Sequence, residues 1–352
     1  MPMQTPDGPS PRQVEINMIA ASLGPASQKV NELQRFLYRE EPLSRRILPT
    51  RPGEEQVRVL HQAWQLFGDP EARVLFLLPP GERGVFDQLT LASALVIEHG
   101  VPLLRATMEE LGREGELRGG DLWFRGRRVA MGYFRGGYAP PHYETSASWN
   151  ARRLLEASSA LSVPSIPAQL ANMKRIQGLL TSPETLRRYL PAAEAEAVAA
   201  TFVGMASPYE TITWRGQRGV ARDLALAHPD EWVLKPQREG GGNNLYGTEM
   251  VRRLETLRPE EDPAFLLMEF IRPAPFHSAR LVENQLVEGP CLTEFGVYGA
   301  YLCDPGAVEA PRLDEDLGYL LRTKDQDSRE GLVIGGFAAL DVLAVEGDEP
   351  LP

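Results

Sequence analysis

Residues 235–247, KPQREGGGNNLYG, gather the groups that a nucleotide triphosphate requires. Gly240, Gly241 and Gly242 let main-chain amides approach an anion without a Cβ in the way. Lys235 ends a strand and is therefore held at one edge of the loop, and Glu239 is the acid beside it. Backbone N–H groups, a fixed cation and a carboxylate for a divalent ion make a triphosphate site. Without the flanking Lys, Arg, Glu and Asn pair, three glycines would read as a flexible surface turn. No GxxxxGK[ST] and no GxGxxG occurs in the chain, so neither a Walker loop nor a dinucleotide fold supplies the surrounding architecture.

Three further segments carry weaker signals. In a strand over 13–22, Glu15 and Asn17 point to one face and offer a carboxylate and an amide oxygen, a pair suited to Mg²⁺ but common on any exposed strand. The run YFRGGYAPPHY (133–143) sets Arg135 three residues before Tyr138 in a Gly/Pro-constrained turn, which reads either as a carboxylate receptor or as a structural loop. The run LLRTK (320–324) brings Arg322 and Lys324 beside a second glycine-containing stretch, 331–336, and reads either as a ligand site or as a solvated basic patch.

The elements that must position these groups form an α/β pattern. Residues 73–78 read as a buried strand, 86–99 as a helix and 102–107 as a second strand. That is a βαβ crossover with a parallel pair. A hairpin turning at Arg125-Gly126 is expected over 122–129. Helices are expected over 28–39, 55–67, 149–159, 168–179, 183–202 (broken near Pro191) and 248–257, and strands over 232–235, 265–270, 291–302 and 337–345. A strand over 13–22 would have no obvious partner ahead of it, which suggests a chain that begins partway into a domain.

Composition bounds the rest. The net charge of −11, from 37 Lys+Arg against 48 Asp+Glu, excludes reliance on a broadly basic surface for nucleic acid or an anionic membrane, but leaves room for a local cationic cleft. Two cysteines, Cys291 and Cys303, exclude a disulfide scaffold, and five scattered histidines form no metal-binding pair. The 32 glycines and 30 prolines in 352 residues exceed the roughly 12% average for the two together and imply many loops. No apolar run approaches the roughly 18 residues that span a bilayer. The proline-rich head, residues 1–12, resembles no signal peptide and is expected to be disordered. The expectation is a soluble, cytoplasmic protein.

In this order, EIN, ERGVFDQ, YFRGGYAP, LANMKRIQ, VLKPQREGGGNNLYG, LLMEFI, TEFGVYG and LLRTK resemble the eukaryotic-type glutathione synthetase family from about residue 13 to residue 341. The resemblance implies a mixed α/β, circularly permuted ATP-grasp ligase, usually a homodimer. Such a ligase joins γ-glutamylcysteine to glycine through an acyl phosphate at the expense of ATP. It further implies Mg²⁺ on Glu15, Asn17 and Glu239, and nucleotide contacts from Lys174, Lys235, Gly240, Gly241, Gly242, Asn243, Asn244, Tyr246, Glu294, Lys324 and Glu330. Met268, Glu269, Phe270 and Ile271 would form the adenine hinge. Contacts to γ-glutamylcysteine are implied for Ser22, Glu82, Arg83, Gln88, Arg135, Tyr138, Arg322, Val333 and Ile334. Arg322, Lys235 and Glu239 would carry the chemistry. No nucleic-acid or membrane partner is implied.

The resemblance divides the chain into a head (1–12), part of an ATP-grasp body (13–71), a Rossmann-like substrate domain (72–172), and an ATP-grasp domain (173–352) with a lid near 230–275 and a closing loop near 325–337. Family members carry a long segment ahead of EIN that is absent here; a truncated chain is expected, ahead of a natural short form or a diverged protein. Ala20, Gly84, Gly136, Leu332 and Ile334 depart from the family pattern on the substrate side, and Glu330 departs near the nucleotide. Two alternatives follow: a catalytically impaired ATP-binding or dimerisation protein, or a ligase that accepts β-alanine or serine.

Overall fold

The computed structural model describes residues 2–5, 8–82, 84–238, 241–282, 284–304, 311–329 and 331–345. The chain forms two compact units, one of Met1–Met18 with Ile166–Pro275 and one of Ile19–Ser165 with Phe276–Pro352.

The second unit is built on the expected crossover. Strand Arg73–Leu77 pairs parallel with Leu103–Ala106 and with Arg127–Phe134, and helix Val85–Ile97 makes the connection. Every residue from Val74 to Leu77 is fully buried. Because side chains alternate across a strand, Leu75 and Leu77 enter one core with Leu111, Leu154 and Leu155. Val74 and Phe76 enter another with Val57, Leu60, Leu91 and Leu95. Helices Met108–Glu114 and Ser146–Glu156 supply the first core, and Pro52–Phe67 and Val85–Ile97 the second. Cover on both faces is why this strand reads as an unbroken apolar run. The hairpin turns at Arg125 (φ 50°) and Gly126 (φ 69°), a left-handed pair that matches strand twist and joins Asp121–Phe124 to Arg127–Phe134.

A separate antiparallel sheet in the same unit runs Phe276–Val282, Gln285–Leu302, Leu313–Asp325, Ala338–Asp341. Its register sets Glu294 opposite Arg322. The LLRTK run is thus the end of a 13-residue strand rather than an isolated patch.

The first unit carries a four-stranded antiparallel sheet ordered Leu245–Tyr246, Trp232–Pro236, Phe265–Glu269, Met205–Ala206. Its core joins Trp232, Leu234 and Leu267 to Leu224 and Ala225 of helix Ala221–Ala227 and to Met250 and Leu254 of helix Gly247–Thr256. In the head, where composition predicts disorder, Pro2–Thr5 pairs antiparallel with Gly8–Pro11. Prolines are tolerated in such a two-stranded edge pairing because an outward-facing position needs no N–H.

Two predicted elements are corrected. Residues 12–18 are extended but join no sheet. Side chains replace the missing ladder: Ile16 N–H donates to Gln177 Oε1 at 3.1 Å, and Gln177 Nε2 donates back to Ile16 O at 3.3 Å. Met18 N–H donates to Asn172 Oδ1 at 2.8 Å, and Gln13 N–H to Thr201 O at 2.8 Å. The second correction explains the first. The helix expected over 168–179 is two helices, Ile166–Ala171 and Lys174–Leu179, separated at Asn172-Met173, where Met173 is extended (ψ 140°). The break leaves Asn172 and Gln177, both buried, to bond the extended segment in place of helical neighbours.

Gln177→Leu strands both main-chain groups of Ile16 and is expected to lower unfolding stability by about 2 kcal/mol, since buried polar groups left unpaired cost about 1–3 kcal/mol each. A denaturant midpoint unchanged from wild type would contradict this account of the extended segment.

Candidate functional site

In the first unit the structure brings the predicted phosphate groups together at the root of the glycine loop. Lys235, 5% exposed, lies in strand Trp232–Pro236 and donates to Val14 O at 3.0 Å. Lys174, 6% exposed, opens helix Lys174–Leu179 and donates to Arg238 O at 2.7 Å. That helix rests on the sheet at Gly178, where a Cβ would lie 3.3 Å from Leu266, the residue paired with Lys235. Two ammoniums are thereby fixed beside one loop by a helix start and a strand end. A cavity of about 320 Å³ lined by Pro236, Gln237, Arg238, Asn243, Ala264 and Phe265 opens at the same root. Gln237 Nε2 is buried there without a hydrogen-bond partner. An orphaned donor beside two held cations fits an anionic oxygen, the chemistry of a nucleotide phosphate.

Of the remaining nucleotide residues, Gly241, Gly242 (φ 80°), Asn243 and Asn244 continue the loop, and Asn244 Nδ2 donates to Tyr246 Oη at 3.4 Å. Tyr246 meets Phe270 edge-on at 6.1 Å. In the hinge, Met268 and Ile271 are buried. The Glu269 carboxylate is engaged by its own unit, accepting from Trp214 Nε1 at 2.5 Å and Gly204 N at 2.6 Å. Its carboxylate is thus spent on holding this segment to its own unit. Glu15 and Asn17 do share a side, with Asn17 Nδ2 donating to Glu15 Oε1 at 3.0 Å, and both are exposed. Their hard oxygens fit Mg²⁺ in donor type. No group of three His, Cys, Asp or Glu able to hold a metal is found among the described residues. Arg83, Glu239, Gly240 and Glu330 lie outside the described residues.

In the second unit, Glu294 receives both cations of the LLRTK strand: Arg322 Nη2 at 2.7 Å and Lys324 Nζ at 2.8 Å. Burial pulls the Glu294 carboxyl up, yet Arg322 and Lys324 outweigh it and hold the group below its ordinary value. Gly331 closes over this triad. A Cβ there would lie 2.4 Å from Glu294 Oε2, so the start of the closing loop packs directly on the carboxylate. Beyond it, Leu332 and Ile334 are exposed, and Phe337 N–H donates to Leu332 O across the turn that contains Val333.

Of the predicted dipeptide residues of this unit, Arg135 meets residues 20 and 21 directly and Glu82 meets Arg135. Arg135, 4% exposed, donates through Nη1 to Ala20 O at 3.2 Å and Ala21 O at 3.0 Å, and its Nε lies 3.6 Å from Glu82 Oε2. Glu82 also accepts from Gly84 N at 2.7 Å. A Cβ at Gly84 would sit 2.8 Å from Arg135 Nη2, so a larger residue there would have to displace the end of the Arg135 side chain. Gln88 accepts from Arg105. Tyr138 stacks edge-on against His142 at 4.7 Å, and His142 Nδ1 accepts from Gly137 N at 3.0 Å, so the turn is braced from within. Sequence reasoning missed Asp87 and Tyr298. Asp87 Oδ2 accepts from Leu23 N, and Tyr298 Oη donates to Ser22 O at 2.6 Å. Asp87 carries a signal in hindsight: an acid on the apolar side of a helix that is buried rather than solvated.

Residues 2–345 match the family described as "Eukaryotic glutathione synthase, ATP binding domain". Glutathione synthetase of Homo sapiens is 36% identical over 344 residues, 95% of this chain and 70% of that protein. The chloroplastic glutathione synthetase of Solanum lycopersicum is 38% identical over 339 residues, 94% of this chain and 60% of that protein. The chain thus spans less than two thirds of the tomato protein's length. Among solved structures, a glutathione synthetase-like effector of Globodera pallida superposes with a TM-score of 0.72 at 17% identity, covering 97% of this chain and 72% of its own, a likeness of fold. No helix among the described residues is long and apolar enough to cross a membrane.

The lowered Glu294 group contributes stability above its ordinary pKa of 4.5 and loses that contribution as pH falls through its folded value. Glu294→Gln is expected to lower stability at pH 7, where Arg322 and Lys324 then face each other unneutralised, and to flatten the acid limb below about pH 4.5. Denaturant midpoints from pH 7 to pH 3 check this, and parallel curves for the two proteins would contradict it.

Proposed function

The chain belongs to the eukaryotic glutathione synthase family, and we propose that it is an ATP-dependent ligase of the cytoplasm that joins γ-glutamylcysteine to glycine, acting as a homodimer. The observation that supports ATP use most directly is the pair of buried lysines, Lys174 and Lys235, at the root of the glycine loop, with the unpartnered Gln237 amide between strand end and cavity. Phosphoryl transfer asks a protein mainly for positioning and charge neutralisation, and these residues supply both.

In the proposed reaction the carboxylate of γ-glutamylcysteine takes the γ-phosphoryl group of ATP, releasing ADP. The glycine amine then attacks the acyl carbon, phosphate departs with the bonding pair, and the amine proton passes to solvent. Lys174 and Lys235 orient the phosphates. Mg²⁺ held by Glu15, Asn17 and Glu239 would offset phosphate charge. On the peptide side, Arg322 supplies a cation whose direction Glu294 fixes, and Ser22, Arg135 and Tyr138 stand in the braced region that receives the dipeptide.

Purified protein given γ-glutamylcysteine, glycine, Mg²⁺ and ATP is expected to release phosphate and form the tripeptide, with glycine preferred over β-alanine and serine. Lys235→Ala is expected to weaken ATP binding at least about tenfold, because a charge-assisted contact contributes about 1.5–3 kcal/mol. Glu239→Ala is expected to lose most metal-dependent turnover. Neither phosphate nor tripeptide from the wild type would sink the ligase reading, and wild-type rates in Glu239→Ala would sink the metal assignment.

A further inference from the structure

Residues 20–23 are held by their main chain from three directions. Arg135 takes the carbonyls of Ala20 and Ala21, Tyr298 takes that of Ser22, and Asp87 takes the N–H of Leu23. The three holding side chains come from the end of strand Arg127–Phe134, from strand Gln285–Leu302 and from helix Val85–Ile97, and all are at least nine-tenths buried. The conformation they hold is unusual for its residues. Ala20 (φ 53°) and Leu23 (φ 71°) are both left-handed without being glycine, which persists only where surroundings over-determine the backbone. Leu23 is also the N-cap of helix Gly24–Leu37 and has no side-chain cap of its own, so the Asp87 carboxylate provides an anion at that helix start from a different helix.

This arrangement has a chemical result. The carbonyls of residues 20, 21 and 22 are all used as acceptors. The main-chain N–H groups of Ala21 and Ser22 and the Ser22 hydroxyl take part in no hydrogen bond among those of the described residues. The segment therefore keeps two successive main-chain donors unspent while its carbonyls are already engaged, and donors in succession beside a left-handed residue favour a negatively charged oxygen. Resting on the reading of this region as the γ-glutamylcysteine site, we propose that Tyr298 and Asp87 are positioning residues that hold residues 20–23 so that the Ala21 and Ser22 N–H groups face a carboxylate of the dipeptide. Neither side chain need touch that ligand. Tyr298 engages the Ser22 carbonyl, a competing acceptor, and Asp87 fixes the left-handed Leu23 that sets the turn.

Tyr298→Phe isolates the effect, since it keeps the ring among Val59, Leu317 and Leu320 and deletes only the hydroxyl that holds Ser22 O. Two readouts are compared in the full chain: the rate of elastase cleavage within residues 20–23, where small residues suit that protease, and the KM values. The expected result is accelerated cleavage without any ligand, a KM for γ-glutamylcysteine raised about fivefold, and KM values for ATP and glycine unchanged. Asp87→Asn, which keeps an oxygen for Leu23 N–H, is expected to retain the wild-type KM for the dipeptide, and Asp87→Leu to raise it. Unchanged cleavage in Tyr298→Phe overturns the hold itself. Accelerated cleavage with an unchanged KM for the dipeptide overturns its part in recognition. If the wild type turns over no dipeptide while Tyr298→Phe is still cleaved faster, the substrate reading fails and takes the recognition role with it, although the hold stands.

Discussion

The arrangement of this chain depends on buried side chains that bond the main chain of residues 13–23. An extended segment outside any sheet must satisfy its amides and carbonyls some other way or leave them exposed to water. Here Gln177, Asn172 and Lys235 serve residues 13–18 within one unit. Arg135, Tyr298 and Asp87 serve residues 20–23 within the other. Each is a polar or charged group that is expensive to bury alone, and each is buried because a main-chain group meets it. Along this stretch the Glu15 and Asn17 side chains stay exposed and bond each other.

The same economy recurs at the other candidate positions. Glu269 accepts from Trp214 and Gly204 and so holds its segment to its own unit. Glu294 neutralises Arg322 and Lys324 and carries Gly331 on its carboxylate, which joins the direction of two cations to the start of the closing loop. In both cases an acid expected to touch nucleotide directly is bonded to its own unit.

Much of this was legible in the sequence because it depends on local pattern. The alternation of Val74, Leu75, Phe76 and Leu77 into two cores, the Arg125-Gly126 turn, and the Lys235 strand end running into glycines all follow from periodicity and backbone preference. The extended segment was misread as a strand because Val14, Ile16 and Met18 alternate as a strand would, while the side chains that replace its ladder lie far away in sequence, 161 residues on for Gln177. Tyr298 and Asp87 were missed for the same reason. Tyr298 alternates as any core strand residue does and Asp87 sits in a helix, and only pairings across 276 and 64 residues disclose their roles.

Amide-resolved hydrogen exchange of the unliganded full chain tests the main-chain hold on residues 13–23 most directly. The account predicts slow exchange at Gln13, Ile16, Met18 and Leu23, whose N–H groups are bonded, and fast exchange at Ala21 and Ser22, whose N–H groups are not. Uniformly fast exchange across residues 13–23, at the rate of an unstructured peptide, would contradict it.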